Sequence, residues 1–380
     1  MALARPQRVA HSPSLLSSLF AALLAAIFIP GIAAGCLPKW ALLTVAALVI
    51  CFIKTPLDRL TWICLAFLGY LAGSFLWSDD PAVGALHLQK WIILFALFQW
   101  GRTRPNLHMA GAVASTVAIA SITLLPDYVG GFGNPNFAVE FILGCLPLAV
   151  AFTPFMAVPI ILYFCFAETV LHWFALSLFL SAHLLQRKHF VFEGITYRPT
   201  NITLCLVLAS LCVVIIFALS LEGIKASVFA RLEFLLPTLA LWGEHPIFGH
   251  GLGSFNYEFP RVYGLTQPVL DVPFSMPINY YAGAAHNDLA QLGMEIGLVG
   301  FGFAVWLIAR TKKKGPEWHA VLLLLAASLI GFPLENPASS AVFAVCLGFV
   351  QRPCLPFSWL AFASKSERIN IFRYLRSRQI

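Results

Sequence analysis

Charge is what this chain has least of: 11% of its 380 residues are Asp, Glu, Lys or Arg, while 59% are hydrophobic. Soluble globular domains carry roughly 25% charged residues, so the shortage excludes water as the solvent for most of the surface. Long polar stretches are scarce as well. Apolar runs of about 16 to 22 residues recur from end to end, each able to cross a ~30 Å hydrocarbon layer. The length therefore reads as one integral membrane domain over residues 1–380 rather than as two or three soluble domains. The nine cysteines lie mostly inside apolar runs and none falls in the longest polar stretch. That leaves neither a disulfide framework nor metal-ligand spacing. A net charge of +7 comes without an aromatic-interleaved basic face, which argues against nucleic acid as a partner.

What is present in abundance is the apolar span. Runs bounded by Pro, Gly or polar clusters lie near 14 to 34, 40 to 53, 60 to 77, 83 to 100, 108 to 125, 137 to 152, 155 to 167, 169 to 185, 202 to 221, 288 to 309, 318 to 333 and 338 to 351. The expected fold is all-α and polytopic, with about 12 transmembrane helices. Arg5 and Arg8 before the first run, and Ala33-Ala34-Gly35-Cys36 after it, also sketch a cleaved lipoprotein signal. A first span of a many-span protein has the same positive entry.

Lys and Arg accumulate in cytoplasmic loops. With the N-terminus inside, nineteen of the 24 Lys and Arg fall on the inner side, including a basic tail at 352–380. Only Lys39, Lys225, Arg231 and Arg261 fall outside, and Lys90 falls within the fourth span. Two outer segments depart from simple turns. One is Pro126 to Asn136, and the other is a long loop at 222–287 between spans 9 and 10. A loop of that length is usually functional or disordered, and its Phe, Tyr, Leu and Pro content suits packing, partly as helix, rather than disorder.

The chemistry-bearing residues concentrate in and around that loop. Ala285-His286-Asn287-Asp288 stands where it re-enters the membrane as a helix. Asn287 or Asp288 can cap that helix, which leaves His286 near water and titratable around neutral pH. The plain alternative is a surface histidine beside an ordinary cap. Upstream, Gly249-His250-Gly251-Leu252-Gly253 could turn backbone N–H groups toward an anion or simply form a tight turn. A nucleotide P-loop is disfavoured, since no Gly-Lys-Ser/Thr follows. Glu244, His245 and His250 lack the i, i+4 zinc pattern, so no metal is expected. Arg231 and Arg261 can hold a diphosphate bidentately, or they can pair with the loop's own carboxylates. Lys90, costly at its depth in a span, is read either as snorkelling to a lipid head group or as pairing with Glu140. Glu295 is assigned to helix packing or interspan hydrogen bonding.

These residues resemble the O-antigen ligase and polymerase family of bacterial envelope glycosyltransferases. Its ligases carry His followed by Asn, Ser or Gln, nine residues, then Gly-x-x-Gly. Here that reads His286, Asn287, residues 288 to 296, Gly297 and Gly300. Trp77-Ser78-Asp79-Asp80-Pro81, Gly133-Asn134-Pro135-Asn136, and Arg231 leading through Trp242 to the glycine segment are similar too. His250 inside that segment departs from the family's small or apolar residue.

The likeness implies transfer of a glycan from an undecaprenyl-diphosphate carrier to an acceptor hydroxyl at the periplasmic face of the inner membrane. It implies no cofactor and no metal. The catalytic candidates are His286, Arg231 and Arg261, and the substrate-binding candidates are Lys90, Asn287, Gly251, Gly253 and Asn136. The acceptor would be lipid A-core, a growing glycan or a protein. Ligase, polymerase and protein O-oligosaccharyltransferase remain open on this reading, as does a flippase of the same lipid-linked sugar.

Overall fold

In chain order the helices are α1 (Ser14–Ala26), α2 (Cys36–Ile50), α3 (Arg59–Gly73), α4 (Pro81–Arg102), α5 (Leu107–Leu124), α6 (Pro135–Phe152), α7 (Ala157–Phe166), α8 (Glu222–Glu244), α9 (Phe255–Leu270), α10 (Asp288–Ala309), α11 (Pro316–Ala327) and α12 (Pro337–Phe349). The structure, a computed structural model, describes residues 14–27, 36–53, 55, 57–125, 132–166, 190–192, 195–197, 222–270, 284–312 and 314–351.

A recurring local device sets where these helices begin. Asp80, Asn134 and Asn336 each precede a proline, and each side chain accepts a backbone N–H of the first turn: Ala82 and Val83, Asn136, and Ala338, respectively. The short polar side chain satisfies an orphan donor, and the proline at the first helical position lacks one to satisfy. Asp58 caps α3 through Thr61 N, and Asn287 caps α10 through Ala290 N.

Ten of the twelve apolar runs coincide with described helices, while those near 169 to 185 and 202 to 221 lie outside the described residues, as does the basic tail at 352–380. Five helical stretches are long and apolar enough to cross a membrane by length and composition: Arg59–Leu76, Pro81–Arg102, Leu107–Leu124, Pro135–Phe152 and Asp288–Ala309. One departure from all-helical architecture is a short antiparallel pair, Phe190–Phe192 (β1) with Ile195–Tyr197 (β2). The intervening sequence is Glu193-Gly194, and a two-residue connection containing glycine is a hairpin signal.

α6 is the centre of the bundle. Two thirds of its apolar window is buried (67%), against 28% for α4, and it packs on α5, α11 and α12. α4 lies instead between α12 on one side and α2 and α3 on the other. Its crossing with α12 is made by two small residues: a Cβ on Gly101 would meet the Val345 carbonyl oxygen at 2.1 Å, and one on Gly348 would meet that of Phe98 at 2.0 Å. Close backbone approach of this kind drives helix association where lipid removes the hydrophobic incentive.

The long loop carries two helices of its own. α8 and α9 pack through Phe234, Leu241, Phe255, Phe259, Val262 and Tyr263, and this second core continues into Ala285 and Met294 at the start of α10. The helix expected within 222–287 is seen over Glu222–Glu244 and Phe255–Leu270.

Candidate functional site

The site is built around an interruption in α10. Gly297 adopts φ 62 and ψ −169, so the helix breaks between its polar first turns and its apolar remainder. The glycine loop that joins α8 to α9 fills the gap. Leu298 N donates to Pro246 O (2.9 Å) and Val299 N to Ile247 O (3.2 Å), while His250 N donates to Met294 O (3.0 Å) and Gly251 N to Glu295 O (2.9 Å). The backbones come so close that a Cβ on Gly297 would meet Ile247 O at 2.2 Å, and one on Gly249 would meet Glu295 at 2.4 Å. The Gly-x-x-Gly element thus has a structural reason: its first glycine is where two backbones interlock.

This changes what the glycine loop can do. Gly253 N donates to Glu295 Oε2 (2.9 Å) and Leu252 N to Ser74 Oγ (3.1 Å). With Gly251 N also engaged, the N–H groups of this loop are bound within the protein. Gly251 and Gly253 therefore do not form an anion cradle; the carboxylate of Glu295 takes that role, held also by Gln291 Nε2 (3.1 Å). Helix packing or interspan bonding is the expectation for Glu295; its carboxylate bonds instead to the glycine loop and to Gln291 of its own helix.

His286 sits just before the cap of α10 and has φ 53, in the left-handed region. For a residue with a Cβ this conformation costs roughly 1–2 kcal/mol, and such strain persists where the surroundings over-determine it. The surroundings do so here. On one side Ala285 N donates to Gln291 Oε1 (2.9 Å). On the other, Asn287 accepts from Ala290 N (2.9 Å) and donates through Nδ2 to Leu329 O (2.8 Å). The imidazole lies between Phe234 of α8 (centroids 4.8 Å apart) and Phe332 (4.7 Å, edge to face). Burial, reinforced by the Arg231 guanidinium, lowers its pKa to about 4. The ring is neutral at any pH near 7 and can accept a proton.

Arg231 stands one turn before Phe234 on α8. Its Nε donates to Ile330 O (2.7 Å), and its charge acts on both His286 and the buried Glu140 of α6. Glu140 accepts from Phe332 N (3.2 Å) and Asn336 Nδ2 (3.5 Å). Asn136 lies one turn N-terminal to Glu140, in the first turn of α6.

Lys90 pairs with Glu335 (2.9 Å), not with Glu140. The pair borders a cavity of about 140 Å³ whose polar end also carries His87, Asp288 and Glu295, and whose apolar wall runs to Phe98 and Leu347. Glu335 is a partner of the candidate site that the sequence did not single out. The signal available was a single carboxylate in Phe332-Pro333-Leu334-Glu335-Asn336, a stretch that hydropathy treats as a mere boundary between spans.

That stretch is the hub of the site. Between α11 and α12, the backbone and side chains of 328 to 336 receive Asn287 Nδ2 and Arg231 Nε, and they hold Glu140, Lys90 and the His286 ring. They also hold the buried Asp288, whose Oδ2 accepts from Ser328 Oγ (3.0 Å) and Leu334 N (2.8 Å).

Arg261 is placed differently. On α9 the residues Phe255, Phe259, Val262 and Tyr263 face α8, which turns Arg261 to the rim. There it is half-exposed and bridges Glu244 and Glu258. Those carboxylates hold its pKa above the ordinary value, and Arg261 in turn holds that of Glu244 down. Its charge is neutralised locally, and Arg231 lies instead beside His286 and Glu140. The structure brings together His286, Asn287 and Arg231 through the hub, adds Lys90 by way of Glu335, and leaves Arg261 in a neighbourhood of its own. Among the described residues no group of His, Cys, Asp and Glu is arranged to hold a metal ion.

A scan against known protein-family models finds no match, and no curated protein is significantly similar to the chain.

Proposed function

We propose that this protein is a metal-independent glycosyltransferase of the bacterial inner membrane. On this reading it moves a glycan from an undecaprenyl-diphosphate carrier to an acceptor hydroxyl on the periplasmic face, most closely in the manner of an O-antigen ligase acting on lipid A-core. The observation that carries the reading is His286: a neutral imidazole in a strained backbone, clamped between two aromatic rings beside a half-buried guanidinium, at the start of an apolar helix. Backbone strain and a displaced pKa in one residue are the marks of a site kept for chemistry rather than stability.

In the proposed step the imidazole nitrogen takes the proton of the acceptor hydroxyl as its oxygen bonds to the anomeric carbon. The bond from that carbon to the diphosphate oxygen breaks, and the diphosphate leaves with the electron pair. Arg231 supplies fixed positive charge for the leaving group. A base with a pKa near 4 is weak. Arrival of a diphosphate offsets the repulsion from Arg231, the smaller cause of the depression, while burial, the larger, remains, so the base strengthens in part when donor is bound. Lys90, already paired with Glu335, serves the membrane side of the donor rather than the reacting bond. Arg261 has no part in this step, since its charge is balanced by two carboxylates.

The test is transfer with purified protein, lipid-linked donor and lipid A-core acceptor. His286→Ala is expected to abolish product while membrane insertion and expression stay intact, and near-normal product from that variant sinks the assignment. Wild-type activity should survive EDTA. In a deletion strain, long free chains with bare core support a ligase, and single-repeat capped core supports a polymerase.

A further inference from the structure

The neighbourhood of Arg261 is a concavity of about 790 Å³, within the roughly 300–1,000 Å³ typical of small-molecule sites. Two exposed aromatic residues form one wall: Trp77, after the end of α3, and Phe248 of the glycine loop, with ring centroids 6.0 Å apart. Asp79, Glu244, His245, Gly249, His250, Glu258 and Arg261 line the rest. The walls are held from behind. Tyr70 Oη donates to Ile296 O (2.8 Å) and to Phe248 O (3.3 Å), fixing the Phe248 backbone. The Ser78 and Tyr257 hydroxyls bond at 2.8 Å, tying the Trp77 segment to α9.

The charge balance decides what this site can take. Three carboxylates face one guanidinium and two imidazoles, so even with both imidazoles protonated the site carries no net positive charge to hold a diphosphate or an anionic lipid head group. Insertion of Trp77 and Phe248 into lipid would carry Glu244 and Arg261, 40% and 50% exposed, toward the hydrocarbon, which is costly. A sugar ring meets none of these objections. Its C–H face is weakly positive and lies well on an aromatic face, whose quadrupole is negative. Its hydroxyls donate to carboxylates and accept from guanidinium. Arg261 uses three of its N–H groups on Glu244 and Glu258, and a guanidinium has five.

We propose that this concavity is a carbohydrate-binding subsite for neutral or amino-bearing sugar rings, separate from the His286 cluster, engaging the glycan away from the bond that reacts. The biological role rests on the glycan-transfer reading; the binding itself is measurable without transfer.

The experiment is binding of the full chain, in lipid nanodiscs, to an array of bacterial envelope oligosaccharides. The four proteins are wild type, Trp77→Ala, Glu244→Gln and His286→Ala. Wild type and His286→Ala are expected to bind the same glycans equally. Trp77→Ala and Glu244→Gln should each weaken that binding by about tenfold, the equivalent of one good contact, with unchanged size-exclusion profiles. Glu244→Gln keeps the shape of the wall, which guards against loss of fold in the alanine variant. Millimolar inorganic pyrophosphate should not compete. The proposal is overturned if wild type binds no glycan, if both wall variants bind as wild type does, or if pyrophosphate displaces the glycan. An inactive His286→Ala that still binds separates this site from the transfer reading, and an active His286→Ala breaks the transfer reading alone.

Discussion

Two arginines thirty positions apart end in different surroundings. Arg231 lies half-buried on α8, bonded to a backbone carbonyl, with its charge reaching His286 and Glu140. Arg261 lies on the rim of α9 between Glu244 and Glu258. The lesson is that an arginine is not by itself a diphosphate ligand. Its neighbours determine what its charge acts on.

Breaking the first cluster should have the largest effect. His286→Ala is expected to lower transfer by roughly 10²–10⁴-fold, the contribution of a positioned general base. His286→Gly should be as inactive yet at least as stable, because glycine adopts φ 53 without penalty. A melting temperature for His286→Gly clearly below that of His286→Ala would remove the strain argument.

Arg231→Gln is expected to cost on the order of 10²-fold in kcat/KM, as removal of one preorganised charge from a transition state does. It should also raise the acid midpoint of the pH profile. In wild type the active form is neutral His286, with a pKa of about 4. kcat/KM, which reports the free enzyme, should hold as pH falls from 8 to about 5 and drop with a midpoint near 4, rather than near the ordinary histidine value of about 6.5. The unfolded chain takes up a proton at the ordinary value and the folded one does not, so stability should decline as pH falls from about 6.5 toward 4. Arg261→Ala sharpens the comparison, since its acid midpoint should stay where wild type has it. A shift equal to that of Arg231→Gln would merge the two neighbourhoods.

Gly297→Ala tests the interlock of the broken helix with the glycine loop. A Cβ at φ 62 and 2.2 Å from Ile247 O should destabilise by at least about 2 kcal/mol, combining left-handed strain with steric clash, read as a lower melting temperature and lower folded yield. The smallest effect is expected at Lys90 and Glu335. The two side chains are 30% and 25% exposed, and partly exposed pairs contribute roughly 0–1 kcal/mol. Glu335→Gln should shift stability within that range, while Lys90→Met with Glu335→Gln should be no worse than Lys90→Met alone.

What could be read without coordinates was local. Asx-Pro pairs and apolar runs mark helix starts and spans, because capping and transfer into hydrocarbon depend on neighbouring residues in the chain. His286 and Asn287 were legible for the same reason, since a cap and the residue before it are consecutive. So was the helical content of the long loop.

The partners of each charged group were not legible. Arg231 and Ile330 are 99 positions apart, and Lys90 and Glu335 are 245 apart. No periodicity connects residues so distant. The hub at 328 to 336 reads as a turn between spans until α4, α6, α8 and α10 converge on it. The glycine loop looked like an anion cradle because glycine composition permits one. Only the folded chain supplied the Glu295 carbonyl and carboxylate that occupy its N–H groups. The sequence by itself determined most of the apolar helices and named candidate residues such as His286 and Arg231. The tertiary structure alone decided which of those residues share a field, because charge acts through space and the chain's order does not record distance.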